Sequence, residues 1–168
     1  DLHSFPTRRS SDLQLEDIDL SIRIQQAGFV TKLYRNAFVY HKRRGNLKKF
    51  YKQVHIFGQA RINLYKLYPD SLKPVHALPA LCVIGSIVVL LSAVFVSPWF
   101  LLFPAVYLLL LFADALLKTR SFPIAGLSVA ASLIQIFGYG LGFIRSFVDK
   151  IIFRHGLEDL ETLKRVYK

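Results

Sequence analysis

Apolar and polar residues change their rhythm several times along this chain, and each change marks an element. From Glu16 to Ala27 the apolar Ile18, Ile22 and Ile24 leave one side of a short helix greasy, and Gly28 supplies the left-handed residue that ends it. Phe29-Val30-Thr31-Lys32-Leu33-Tyr34 and Ala37-Phe38-Val39-Tyr40 are β-branched and aromatic runs around Arg35-Asn36, the pattern of a β-hairpin. His41-Lys42-Arg43-Arg44-Gly45 follows as a basic loop. Asn46 is placed to cap a helix whose apolar positions Leu47, Phe50, Tyr51, Val54, Phe57, Leu64, Tyr65 and Tyr68 recur at three- and four-residue spacing. Lys48, Lys49, Lys52 and Lys66 fill its other side, so this amphipathic helix is expected to lie in a membrane interface.

Pro69 and Pro74 break the pattern, and three long apolar stretches follow, over about 77–96, 99–117 and 122–143. The first has the ~20 apolar residues that a bilayer requires. Ser97-Pro98 is a tight turn, Trp99 an interfacial aromatic, and Lys118-Thr119-Arg120 a return to a charged face. The third stretch is rich in small residues, Gly126, Ala130, Ala131, Gly138, Gly140 and Gly142, which suits close packing between helices better than contact with lipid. Asp114, inside the second stretch, has Lys118 one turn away as its natural partner.

Composition turns this pattern into a class. Hydrophobic residues make up 53% of the 168 and charged residues only 20%, too apolar for an ordinary soluble domain. The net charge of +11 is uneven: residues 1–76 hold fourteen Lys and Arg against six Asp and Glu, and residues 77–113 hold neither. A basic segment beside apolar spans points to anionic headgroups or a diphosphate substrate, not to nucleic acid. The positive-inside rule puts the basic N-terminal segment and Lys118/Arg120 in the cytoplasm. A third full crossing would put the tail outside, against the pull of Arg145, Lys150, Arg154, Lys164, Arg165 and Lys168, so the sequence is compatible with two or with three transmembrane helices. Cys82, alone in an apolar run, is expected to be a packing residue.

Residues His3 to Leu13 have no apolar period and resemble the conceptual translation of a short-read sequencing adapter. They are expected to be an artefactual or disordered leader, which makes residues 14–168 the interpretable chain and a piece of a longer protein. The chemistry concentrates just after them. Glu16-Asp17-Ile18-Asp19 opens a helix, where carboxylates are stabilised by unpaired N–H groups and the helix dipole whatever else they do. Asp19 and Arg23 can pair along that helix and read as structural. His41 reads equally as a strand-end histidine facing water or as a ligand. Arg43 and Arg44 are either headgroup anchors or counter-charges for a leaving group.

The whole series is more specific than any of its parts. An acidic pair opening a helix, Leu20, Arg23, Gly28, an aromatic hairpin, His41 with Arg44, then Gln53, Gly58 and Arg61 before membrane spans resembles the C-terminal part of family 2 glycosyltransferases, in particular the membrane-anchored enzymes of exopolysaccharide synthesis. The resemblance implies a mainly α chain: the remnant of a GT-A α/β catalytic domain over 14–45, an interfacial helix and linker over 46–76, a membrane region over 77–143 and a basic tail over 144–168. It implies Asp17 as the general base toward the acceptor hydroxyl, with Glu16 orienting it. It implies that His41, Arg43, Arg44, Gln53 and Arg61 bind the diphosphate or substrate, and that His41 is a possible ligand of the divalent metal, Mg or Mn, of the intact enzyme. The partners would be membrane lipids, a nucleotide-sugar and a glycan or lipid-linked acceptor, at the cytoplasmic face of a bacterial or archaeal plasma membrane.

Two departures refine this expectation. The processive members' Q-x-x-R-W is incomplete, since no arginine lies three residues after Gln53 and no tryptophan follows Arg61, which favours addition of single sugars. No D-x-D motif lies before Glu16, so these residues alone are expected to be inactive, with the donor-binding part encoded upstream. The other class the composition allows is a small, non-enzymatic basic anchor or subunit.

Overall fold

Asn46 opens the main helix as its position predicts: its side-chain Oδ1 accepts the Lys48 backbone N–H at 2.8 Å, satisfying one of the donors a helix start leaves over. The structure is a computed structural model that describes residues 20–32, 34–38, 40 and 46–153. Those residues are mainly helical. The chain is helical over residues 20–26 (α1), then over Leu47–Leu67 (α2), Leu78–Phe95 (α3), Leu102–Thr119 (α4) and Phe122–Phe147 (α5), with short 3-10 turns at Pro69–Ser71, Pro74–Ala77 and Pro98–Leu101. A π-helical turn, Val148–Ile152, extends α5.

Gly28 stops α1. Its φ of +84° lets the Phe29 N–H reach the Ile24 carbonyl at 3.1 Å and its own N–H reach that of Gln25 at 3.0 Å, the paired bonds of a Schellman end. The predicted hairpin is present only as its turn, where Ala37 N–H donates to Tyr34 C=O at 3.2 Å, and no strand occurs among the described residues. The physical reason is lack of cover: Phe29, Val30, Tyr34, Phe38 and Tyr40 are all exposed, and an isolated two-stranded ribbon with no packed face is marginal.

Three helices are long and apolar enough to cross a membrane: Pro74–Phe95, Pro98–Thr119 and Phe122–Ile152, each counted with its adjoining turn. Their surfaces agree with a lipid setting, because Leu81, Ile87, Leu91, Phe95, Phe103, Leu109 and Leu117 are exposed, far more apolar surface than a soluble domain leaves uncovered. α4 has no buried residue at all. Asp114 is bonded to Lys118 Nζ at 2.8 Å near the end of α4. Cys82 is exposed on α3 and so is not the packing residue expected; the buried face of that helix is Ala80 and Val83.

The interior belongs to α5, which packs on α2, α3 and α4. Glycines set how closely. A Cβ at Gly58 would strike the Tyr139 carbonyl oxygen, one at Gly142 the His55 carbonyl oxygen, and one at Gly138 would lie 2.6 Å from Val54 Cγ2. α2 and α5 therefore touch backbone to backbone. Gly126, in contrast, faces open space, so the small residues of α5 are not one continuous seam. The apolar periodicity of α2 also points partly elsewhere than predicted: Leu47, Tyr51 and Phe57 are exposed, whereas Ile62, with Gly58 and Ala60, is buried.

The two helices run in the same direction. As α2 advances from Tyr51 through His55 and Gly58 to Asn63 and Lys66, its contacts on α5 advance from Gly138 through Tyr139 and Gly142 to Lys150. At the far end Lys150 Nζ donates to the buried Asn63 Oδ1, and Lys66 Nζ donates to the Lys150 carbonyl. Lys48, Lys49 and Lys52 stay on the exposed side as expected, while Lys66 is drawn into this joint.

These contacts also bring distant ends of the apolar helices together. Gly140 meets the start of α3, where a Cβ would lie 2.5 Å from the Pro79 carbonyl oxygen, so the chain returns at Gly140 to the level at which its first apolar helix began. The C-terminal half of α5 thus lies beside both the start of α3 and the length of α2. Cysteines introduced at Lys52 and Asp149, in a Cys82→Ser background, are therefore expected to react with an impermeant maleimide from the same side of intact vesicles; labelling from opposite sides would contradict the arrangement.

Candidate functional site

α2 is the element that brings candidate residues together. On one side it receives α1, whose Ile22 packs on Ala60 and Leu64 beside Tyr68. On the other it meets α5 and the beginning of α3 around Ile62, Ala80 and Phe143, with Leu72, Ala77, Tyr139, Ile144 and Ile151 packed against them. Arg61 sits between these two clusters in sequence and is half-buried.

Polar residues stand next in sequence to members of the second cluster. Arg61 adjoins Ile62, Lys73 adjoins Leu72, His76 adjoins Ala77, and Tyr139 is itself a member. The Arg61 guanidinium approaches the Tyr139 hydroxyl, and the positive charges of both Arg61 and Lys73 fall on the His76 ring. His76 is held by the backbone: the Lys73 N–H donates to its Nδ1 at 3.0 Å, which leaves the proton of the neutral ring on Nε2. Pro74 makes this possible, since it begins the turn that carries His76 back over Lys73.

A second histidine has a structural task. The Gly138 carbonyl can only accept, so His55 donates to it from Nδ1 at 3.2 Å. Its Nε2 faces the Gln59 side-chain amide at 3.4 Å, and its ring stacks on Tyr51 with centroids 5.8 Å apart. Nδ1 thus pins α2 to α5, while Nε2 is engaged within α2.

Of the residues singled out in the sequence, Gln53 and Arg61 lie on α2, eight residues apart and hence about 12 Å along the axis, too far to grip one small group together. Glu16, Asp17, His41, Arg43 and Arg44 lie outside the described residues. Among the described residues no three His, Cys, Asp or Glu side chains gather as a metal site requires. Lys73, His76 and Tyr139 carry no motif that singles them out in the sequence. Their only local signal is polarity at the edge of an apolar span, and their nearness to Arg61 depends on contacts between residues far apart in the chain. A cleft lined by Trp99, Phe100, Leu102, Phe103 and Val106 opens at the turn between α3 and α4, but its lining is almost entirely apolar and brings no group of polar side chains together.

No family model, curated protein or solved structure matches the chain.

Proposed function

We propose that this chain forms the acceptor-side and membrane-docking part of an integral-membrane family 2 glycosyltransferase, which moves a sugar from a nucleotide donor to a lipid-linked or polysaccharide acceptor at the cytoplasmic face. One observation carries the reading: α1, which follows directly on the Glu16-Asp17-Ile18-Asp19 run, is seated through Ile22 on Ala60 and Leu64, the residues that flank Arg61 on α2. α1 is thus tied by packing to the helix that is itself locked to α5. A catalytic carboxylate in front of α1 would work at a fixed height above the bilayer, where a lipid-linked acceptor presents its hydroxyl.

In this reading Asp17 takes the proton of the acceptor hydroxyl as the oxygen attacks the anomeric carbon from the face opposite the departing nucleoside diphosphate. Glu16 orients or tunes Asp17. Cations along the same surface balance the charge that accumulates on the leaving group. In the intact enzyme His41 would help to hold a divalent metal, which would supply charge stabilisation to the leaving diphosphate.

The test is a transfer assay on membranes carrying the complete gene product, with a panel of radiolabelled nucleotide-sugars. Label is expected in the lipid or polysaccharide fraction with at least one donor. Absence of transfer from every donor would favour the basic anchor or subunit, for which the exposed Lys48, Lys49 and Lys52 are the supporting feature.

A further inference from the structure

Three helices of this chain meet end to end. α3 runs into α4 through the turn at Pro98–Leu101, and α4 runs into α5 through Arg120, whose φ of +51° reverses the chain, with Phe112 against Phe122 at a ring-centroid distance of 6.2 Å. The third corner joins residues far apart in sequence. There Gly140 meets the first turns of α3, a Cβ lying 2.5 Å from the Pro79 carbonyl oxygen and 2.7 Å from Val83 Cγ2. Between the corners the chain is helical from Pro79 to Phe95, from Leu102 to Thr119 and from Phe122 to Gly140. At 1.5 Å per residue each side is about 24 to 27 Å long, so the three enclose a nearly equilateral triangle.

The size of that triangle decides what fits inside it. Its centre lies about 8 Å from each axis, and a helix with its side chains is about 10 to 12 Å across, which leaves an opening about 4 to 6 Å wide. A hydrocarbon chain, whose carbons touch their neighbours at about 3.5 to 4.0 Å, can enter such an opening, and another helix cannot. The walls have matching chemistry. Ile87 and Leu91 of α3, every residue from Leu101 to Tyr107 of α4 and Leu127 of α5 are exposed, and nothing lies within 4 Å of a Cβ added at Gly126. Over 101–107 α4 is bare on every side and largely bulky and apolar, unlike the small and polar surfaces by which membrane helices join. All three sides belong to segments long and apolar enough to cross a membrane, so the opening is offered to hydrocarbon.

We propose that the frame of α3, α4 and α5 is a binding site for one hydrocarbon chain of a membrane lipid. The chain enters between the two arms and ends at their shared corner, in the cleft lined by Trp99, Phe100, Leu102, Phe103 and Val106. In a bilayer an opening of this width that holds nothing forfeits van der Waals contact on all three walls, and only a single lipid chain is slender enough to restore it. Walled on three sides, that lipid leaves more slowly than lipid on the outer surface. The site is independent of the glycosyltransferase reading, since it uses none of the residues on which that reading rests.

Trp99 is the one tryptophan of the chain and stands at that corner, so it reports the occupant directly. The full chain is reconstituted in phosphatidylcholine brominated along its acyl chains, a quencher of tryptophan emission, and then extracted into a mild detergent without lipid. Native mass spectrometry counts the lipid retained, and emission is compared with a preparation in unbrominated lipid. Lipid is expected to stay with the chain after extraction, and Trp99 to stay quenched. Phe103→Gln and Val106→Gln each place an unpartnered amide against the lipid chain and are expected to weaken retention about tenfold. Both positions are exposed, so neither change removes packing from the protein. Leu117→Gln, an exposed position on α4 outside the cleft, is expected to leave retention unchanged. Equal loss from Leu117→Gln would overturn the site in favour of ordinary surface lipid, and retained lipid with unquenched Trp99 would place the lipid elsewhere. Loss of all lipid on extraction would overturn the proposal, as would chain dimers whose Trp99 is shielded from brominated lipid in the bilayer itself, the sign of a second copy on this face.

Discussion

Replacing Gly58 by alanine is expected to destabilise the protein by about 3 kcal/mol, the upper end of what overpacking costs. The obstacle is the reason. The new methyl meets the Tyr139 carbonyl oxygen and, at 2.8 Å, the Phe143 amide nitrogen, both backbone atoms that no rotamer change can move aside. α2 has to withdraw from α5 along its length, and withdrawal also pulls apart His55 from Gly138 and Asn63 from Lys150. Gly142→Ala should behave alike, because its methyl meets the His55 backbone. Gly85→Ala and Gly126→Ala are the controls: nothing lies within 4 Å of either added methyl, so the better helix propensity of alanine acts alone and stability holds or rises by up to about 1 kcal/mol. Thermal unfolding in detergent measures all four. Equal loss at Gly58 and Gly126 would mean that the close crossing is not what holds the bundle.

The largest effect on activity is expected from Asp17→Asn. In membranes carrying the complete enzyme it should lower transfer by roughly a hundredfold to ten-thousandfold, the range contributed by a positioned general base, while donor binding persists. The amide keeps the size and hydrogen-bonding reach of the carboxylate and removes only its basicity. Asp19→Asn is the matched comparison, since Asp19 is read as a partner of Arg23 along the helix, and its turnover should stay near that of the parent. Initial rates at saturating donor separate the two. If Asp17→Asn retained full turnover, the acidic run would return to being a helix start and nothing more.

Features governed by neighbours in the chain are legible in the sequence itself. Asn46 as a cap, Gly28 as a left-handed stop, Asp114 beside Lys118 and the turn at Arg35-Asn36 each depend on atoms within a few residues, and the apolar stretches show their lengths directly. Periodicity is less reliable on α2. It selects Leu47 and Phe57, which are exposed, and passes over Ile62 and Gly58, because the face that matters is defined by the partner helix and not by hydrophobicity alone. The hairpin fails for the related reason that β-branched residues predict a strand only where a sheet exists to receive it. Of the site, Arg61 is legible as a cation on an amphipathic helix. Its companions Lys73, His76 and Tyr139 are not, since a proline-led turn and a helix beginning sixty-one residues later, at Phe122, bring them to it.

The same-direction pairing of α2 with α5 also sets an order of events during synthesis. Hydrogen-bonded partners such as His55 and Gly138, or Asn63 and Lys150, are separated by 83 and 87 residues, so the groove beside Gly58 leaves the ribosome long before the helix that fills it. At ordinary elongation rates that interval is about 4 to 17 seconds. Throughout it α2 presents Val54, Gly58 and Ile62 uncovered, while three long apolar helices are made in succession. The nascent chain therefore has a built-in waiting period in which the α5-facing side of α2 is open to chaperones or to the bilayer surface, whereas α1, seated on Ala60 and Leu64, needs only α2 to dock.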